Sequence, residues 1–400
     1  MSGARVFPLT GVIRPYAWGS RTAIAALQGR PAPTESPEAE LWLGAHPGDP
    51  SSVTGPDGPA NLASLIAADP EGQLGAQVAD EFDGRLPYLM KVLAAAAPLS
   101  LQAHPDAAYA REAYARQQAD PDAPRIYTDP HHKPEALVAL TTFDALCGFR
   151  APDVSAAVLE GLALPQLAPV VAALRSGTAG LRDAVQTLLT WPADERPSLI
   201  ESVVSATLAA PDDHPYAREF ALAAGLASHY PGDPGVLVSL LLNHVRLAPG
   251  EAIWMPAGNL HAYLAGTGVE IMAASDNVLR GGLTPKRVDV DELLRVLRFE
   301  VLTDPLLPSS EVAPGVSTWR VPVREFELYR ITLDGAPVPV PVGGPRIVLG
   351  VRGAVTVAQP VEAAPPVVLT PGTAAYAPAA AGPVTLSGVG EAFVAAAAAG

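Results

Sequence analysis

The chain has one cysteine in 400 residues, Cys147, which excludes an internal disulfide and a cysteine-rich metal site and leaves Cys147 as a small buried hydrophobe. Charge is sparse as well. Asp, Glu, Lys and Arg make up 17% of the sequence against 49% hydrophobic residues, the balance of a globular chain rather than a disordered one. Positive charge is scarcer than negative, and a formal net charge of -15 argues against nucleic acid as a partner, because phosphate backbones want a basic footprint. No uninterrupted apolar run is long enough to span a bilayer, and no basic amino-terminal segment precedes an apolar one, so a cytoplasmic protein without a membrane partner is expected. The alanine-rich tail Phe393 to Gly400 is too short for an anchor. No histidine follows His261, so a histidine-based site has to lie upstream of the carboxy-terminal third.

Four hundred residues imply two or three domains. Residues 1–150 mix short strands with brief helices, such as the one expected after Pro105 from Asp106 to Arg116. Between 151 and 236 apolar residues recur at helical spacing in Val154 to Leu162, Gly180 to Leu189, Ser198 to Leu208 and Tyr216 to Ser228, separated by Pro-rich breaks. This block carries no chemical motif and reads as a helical insertion, a lid or scaffold. Val290 to Leu297 reads as a closing helix, Thr303 to Pro314 as a Pro-rich linker, and the remainder as strands, with Arg346 to Gly350 and Ala354 to Val357 the clearest. An internal repeat links the two β parts. Leu247-Ala-Pro-Gly250 and Pro256-Ala257 return 122 residues later as Leu369-Thr-Pro-Gly372 and Pro378-Ala379, with Trp254 matching Tyr376, Leu264 matching Leu386, and Gly266 and Gly268 matching Gly388 and Gly390. In that register His261 falls opposite Pro383 and Glu270 opposite Ala392, so the second copy keeps the turns and loses the chemistry.

Five residues in distant strings look like one site: Gln102 and His104 in Leu101-Gln-Ala-His-Pro-Asp106, Glu135 in His132-Lys-Pro-Glu135, and His261 and Arg280 in the run from Met255 to Lys286. Two imidazole nitrogens, a carboxylate and an amide oxygen suit a divalent ion of the zinc type. Alternation along a strand puts Ser100, Gln102 and His104 on one face. The same parity sets Lys133 beside Glu135, since Pro134 keeps that segment out of a helix. Ala252 to Pro256, a turn at Gly258 and a strand carrying His261 and Tyr263 read as a hairpin. Three such strands converging on an ion describe the interior of a small β-barrel.

The order Gln-x-His, His-Lys-Pro-Glu, Pro-Ala-x-x-x-His-Ala-Tyr-Leu-x-Gly and Ser-Asp-Asn-Val-x-Arg-x-Gly-x-Thr-Pro-Lys resembles the type I mannose-6-phosphate isomerases, zinc enzymes of the cupin fold. Tyr16-Ala-Trp-Gly19 and Ala39-Glu-Leu-Trp-Leu-Gly-Ala-His-Pro47 extend the resemblance over most of residues 1–300. It implies a cupin fold, and together with the helical spacing and the internal repeat the expectation is a mainly β protein of two cupin, or jelly-roll, barrel modules with an α-helical domain: a discontinuous catalytic domain over 1–150 and 237–300, the insertion 151–236, and a metal-free cupin-like domain over 310–400. It also implies one zinc ion per chain on Gln102, His104, Glu135 and His261, with Arg280 as the catalytic arginine. Two departures stand out: His131 precedes His-Lys-Pro-Glu where many relatives have Asn, and Ala136 follows where many have Met. In an extended segment His131 lies roughly 13 Å from Glu135, too far to be a ligand.

The implied reaction moves a proton from C2 to C1 of the open-chain sugar of mannose 6-phosphate or fructose 6-phosphate through an enediolate. A guanidinium does not deprotonate readily, so Arg280 is assigned to the enediolate charge. Lys133, Glu270 and a hydroxide on the metal stay open as the proton-transfer group. Lys286 with Ser100 or Lys91 suits the phosphate, and Trp18 offers an apolar face to the sugar. Cationic side chains in these segments accommodate an anionic sugar phosphate despite the acidic chain, because local charge decides binding in a cleft. Two alternatives carry different signatures: another metal-dependent cupin enzyme such as an oxygenase, which would want redox-active metal and more histidine, and a sugar-binding or regulatory cupin without turnover. A monomer or weak homo-oligomer is expected.

Overall fold

A computed structural model describes residues 5–55, 58–122, 124–360 and 365–398. Ala399 and Gly400 of the alanine-rich tail lie outside the described residues, while Phe393 to Ala396 end a buried strand, Thr385–Ala396. Among the described residues the protein is mostly β, with two 11-stranded sheets and helices. Among the described residues no helix is long and apolar enough to cross a membrane.

The sheet that carries the site is organised by one long strand, His261–Ala273. Along its far half it pairs with Tyr88–Ala95 on one side and Glu135–Ala139 on the other, and along its near half with Phe143–Phe149. The switch of partner occurs at Gly266, whose φ of 129° and whose missing side chain let the chain bend: a Cβ there would come within 2.7 Å of Phe143 and the Thr142 carbonyl. Gly388, its counterpart in the repeat, has φ 114° and would bring a Cβ within 2.3 Å of the Ala354 carbonyl. The repeat is therefore a repeat of backbone geometry. Leu242–Leu247, Ala252–Met255 and His261–Ala273 are matched in order by Val367–Leu369, Ala374–Ala377 and Thr385–Ala396.

The helices fall where the apolar spacing placed them: Pro152–Gly161, Leu181–Leu189, Arg196–Ala209 and Ala217–His229, with Ala168–Arg175 and Gly235–Ser239 added. The strands on either side, Phe143–Phe149 and Leu242–Leu247, pair with each other, so the helices leave from and return to adjacent points of one sheet. Their apolar faces share a core with Leu101, Ala103, Leu146, Leu260 and Leu279, which ties the helical segment to strands flanking the site. The helix after Pro105 runs Ala107–Ala119, its Asp106 side chain capping the Tyr109 N–H. Val290–Val296 starts in the same way, Asp289 accepting from Glu292 N–H.

Three expectations are corrected. Ala252–Met255 and His261–Ala273 do not form a hairpin, because Glu135–Ala139 lies between them and pairs with both; two apolar segments joined by a short turn are compatible with a skipped neighbour. The segment Thr303 to Pro314 is not a plain linker: Leu306–Leu307 pairs with Ala252–Met255, and Ser309–Ala313 with Val316–Trp319. Its prolines sit at strand ends and edges, where no ladder N–H is needed. Arg346 to Ala358 is one strand with an irregularity between Gly350 and Arg352, not two. The other sheet is not purely carboxy-terminal either, since Phe7–Thr10, Ser52–Gly55 and Gly58–Asn61 join its edge through Ala374–Ala377.

His244, on Leu242–Leu247, supplies a test of how this region is held. Burial and then Arg218 push its pKa from the usual 6.5 to about 4, against the pull of Asp144 and Glu219. Between those values the unfolded chain takes a proton that the folded chain refuses, so stability falls as pH drops from 6.5 towards 4. His244→Gln should remove at most about 2 kcal/mol of the loss between pH 7 and pH 5, read from denaturant unfolding at both pH values. Equal pH dependence in the two proteins would refute it.

Candidate active site

Three segments converge on a buried cluster. His104, just past the strand Gln102–Ala103, Glu135 at the start of Glu135–Ala139, and His261 at the start of the long strand place ligand atoms within 4.8 Å of one another. All three are at least 97% buried, with exposures of 0%, 3% and 3%. Gln102 stands opposite His261 in the ladder, and its amide donates to Ser100 Oγ at 3.4 Å. Ser100 and Gln102 are thus neighbours as expected, while His104 lies beyond the strand end.

The imidazoles are fixed by their outer nitrogens. His104 Nδ1 lies 2.7 Å from the Asn277 carbonyl and His261 Nδ1 3.1 Å from the Asn259 carbonyl. A carbonyl oxygen can only accept, so Nδ1 carries the hydrogen in each ring. Burial holds His104 down at about 4, outweighing the pull of Glu135, so its ring is neutral and its Nε2 is a bare lone pair. Among the described residues that buried atom has no hydrogen-bond partner. It faces Glu135 Oε1 at 3.4 Å, while His261 Nε2 faces Oε2 at 3.3 Å. Burial alone would raise the Glu135 carboxyl, but Lys133 and the histidines hold it well below the usual range; Lys133 Nζ is 2.6 Å from Oε1. A bare imidazole nitrogen turned on a carboxylate in a dry site is what a divalent cation relieves.

Beside the cluster a cavity of about 40 Å³ is lined by Gln102, Lys133, Glu135 and His261 together with Lys91, Glu40, Glu270 and Tyr263. Lys91 is buried there with Nζ 2.8 Å from Glu270 and 3.8 Å from Glu40. Its charge is already balanced by two carboxylates, which makes it a poor candidate for the phosphate. Burial raises the Glu270 carboxyl, with Lys91 opposing and Glu135 adding to the rise. Tyr263 is also held well above the usual phenol range by burial, so its hydroxyl stays protonated.

Arg280 forms the two-residue strand Leu279–Arg280 and lies opposite Gln102. It is half-buried and, among the described residues, makes no ion pair. Lys286 is exposed in the following turn, outside the cavity. Trp18 is half-buried, stacked on Tyr16 at 5.7 Å and packed near Leu99. His131 is not part of the cluster, and His132 is paired with Glu325 at 2.6 Å.

The family model for phosphomannose isomerase type I, catalytic domain, matches residues 6–152. Mannose-6-phosphate isomerase of Escherichia coli is 34% identical over 392 residues, covering 96% of this chain and 97% of that protein. The chain belongs to the type I phosphomannose isomerase family. A crystal structure of an arginine-to-alanine mutant of phosphomannose isomerase from Salmonella typhimurium is 32% identical, with a TM-score of 0.90 over 98% of this chain and 100% of that one. A zinc-bound mannose 6-phosphate isomerase structure, also 32% identical, superposes with a TM-score of 0.89 over the same 98% and 100%.

Within this phosphomannose isomerase frame, three residues near the site escaped the reading of the motifs. Asn277 is fully buried and knits the site: besides its carbonyl on His104, its side chain accepts from Thr128 N–H and donates to the Asp129 and His131 carbonyls. Glu40 accepts from Trp42 Nε1 at 2.6 Å and faces Lys91. Tyr263 was assigned to the strand face of His261 but given no role. The signal for Asn277 and Glu40 was their presence in the motif strings; nothing local tells a ligand from the residue that orients it.

Proposed function

We propose that the chain is a zinc-dependent aldose-ketose isomerase interconverting mannose 6-phosphate and fructose 6-phosphate through an enediolate. The observation that carries this is the bare, buried His104 Nε2 turned on Glu135 beside His261 and Gln102, together with a cavity that adds a second, raised carboxyl. Gln102, His104, Glu135 and His261 fit zinc by donor chemistry and would hold one ion per chain. When bound, zinc supplies Lewis acidity to the sugar oxygens.

The other residues divide the remaining work. Glu270 is proposed as the group that carries the proton between C2 and C1, since a carboxylate shifted towards neutrality is a better acceptor; Lys91 fixes it in place. Lys133 orients Glu135 rather than acting as the base. Arg280 faces the enediolate charge, Lys286 and Ser100 the phosphate, and Trp18 the sugar face. For the architecture we propose a discontinuous cupin barrel over 1–150 and 237–300, the helical insertion 151–236 as its scaffold, and a second cupin-like barrel over 310–400 that borrows edge strands from the amino-terminal 61 residues. A cytoplasmic, monomeric or weakly associating enzyme fits this reading. The deciding experiment is a coupled assay on mannose 6-phosphate with metal analysis: activity should disappear with a chelator and return with zinc. Isomerisation untouched by metal removal would overturn the proposal.

A further inference from the structure

Another cavity, of about 100 Å³, is lined in part by Pro130, His131 and His132 and shares no lining residue with the site cavity. Its basic side chains come from three separate places: Arg85 in the turn after Ala76–Glu81, Arg111 one turn into Ala107–Ala119, and His131. Phe82, Pro87 and Ala273 supply an apolar floor, which strengthens any charge interaction above it. Ala107, in the first turn of a 13-residue helix, adds the positive end of that helix to the wall.

The cations here are not spoken for. Among the described residues neither Arg85 nor Arg111 makes an ion pair or a side-chain hydrogen bond. One carboxylate, Glu325, lines the pocket together with its partner His132, and the other two nearby are engaged elsewhere or face outwards. Glu325 is closed by His132 at 2.6 Å, Asp129 accepts from Ser275 Oγ, Asp276 N–H and His131 N–H, and Asp83 is exposed. In a chain of net charge -15, a concave pocket with two unmatched guanidiniums is an exception. Its volume is well below the several hundred Å³ that a drug-sized ligand fills, so the occupant is small.

We infer that the pocket between Arg85, Arg111 and His131 binds a small phosphate-type oxyanion, at a site separate from the substrate cavity. Guanidinium forks match tetrahedral oxyanions in geometry as well as charge. The source is either free phosphate or the phosphate group of a monoester. Burial, and next Arg85, lowers the His131 pKa, consistent with a surplus of positive charge that a bound anion would relieve.

The test is isothermal titration of the zinc-loaded full chain with inorganic phosphate and, separately, with glycerol 3-phosphate. The wild type should show a phosphate site that the double variant Arg85→Ala, Arg111→Ala weakens at least about 10-fold, with KM and turnover on mannose 6-phosphate unchanged. Lys286→Ala should leave this site intact. Binding of inorganic phosphate alone identifies free ion as the source, and binding of both identifies the phosphate group; either supports the proposal. An unchanged isotherm in the double variant overturns it, as does a loss accompanied by a higher KM, which would assign these arginines to the substrate. Both side chains are exposed and unpaired, so the fold should tolerate their removal. Arg85→Lys with Arg111→Lys, retaining charge, should restore binding to within a few-fold.

Discussion

Replacing Arg280 by alanine is expected to cut turnover on mannose 6-phosphate by roughly 100- to 1000-fold, about 2.7 to 4 kcal/mol in the barrier, the usual cost of losing a positioned charge donor. Zinc content should not change, because Arg280 stands opposite Gln102 in the ladder and is not among the clustered donors. Burial lowers the Arg280 pKa, yet a guanidinium stays charged at any working pH. A half-buried cation without a carboxylate partner gains most when negative charge arrives. If that charge is the enediolate, kcat falls while KM barely moves; if it is the phosphate, KM rises instead. Arg280→Lys should recover part of the rate but not the planar fork. Normal turnover in a zinc-replete alanine variant would sink the assignment.

How far the sequence reaches is clearest at His104 and at the false hairpin. The convergence of His104, Glu135 and His261 was legible because His and Glu carry their chemistry in their side chains, and the strings around them are distinctive. Four α-helices of 152–239 were legible because apolar spacing is a local property, while Ala168–Arg175 and Gly235–Ser239 were not placed. Strand neighbours are not local. Ala252–Met255 and His261–Ala273 are joined by a short turn, yet Glu135–Ala139, more than 100 residues upstream, inserts between them, and nothing in either segment records that choice. The same holds for Phe7–Thr10, which crosses to pair with Ala374–Ala377. Lys133 beside Glu135 was legible from strand parity, but the surroundings of Lys91 were hidden. A lysine in a motif looks like a phosphate ligand until Glu40 and Glu270 are found on either side of it.

That burial of Lys91 carries the second large prediction. Its ammonium is 5% exposed as a residue and separates two carboxylates that are 6% and 2% exposed. Lys91→Met removes the cation, keeps the apolar stem and leaves Glu40 and Glu270 uncompensated, a change expected to cost about 3 to 5 kcal/mol in stability. The cost should depend on pH in a definite direction. Without Lys91, the Glu270 carboxyl, already raised by burial, loses the one neighbour that most opposed the rise and titrates higher still. The folded variant then holds a proton that the unfolded chain has released, so its stability is largest below the ordinary carboxyl range and drains away as pH climbs through the raised value. Denaturant unfolding should therefore show a variant near wild type at pH 5 and far weaker at pH 8. Adding Glu270→Gln should recover most of the pH 8 loss, because the amide needs no counter-ion. A deficit of equal size at both pH values would mean that Lys91 matters by packing alone, and that the raised Glu270 carboxyl is not set by its neighbour.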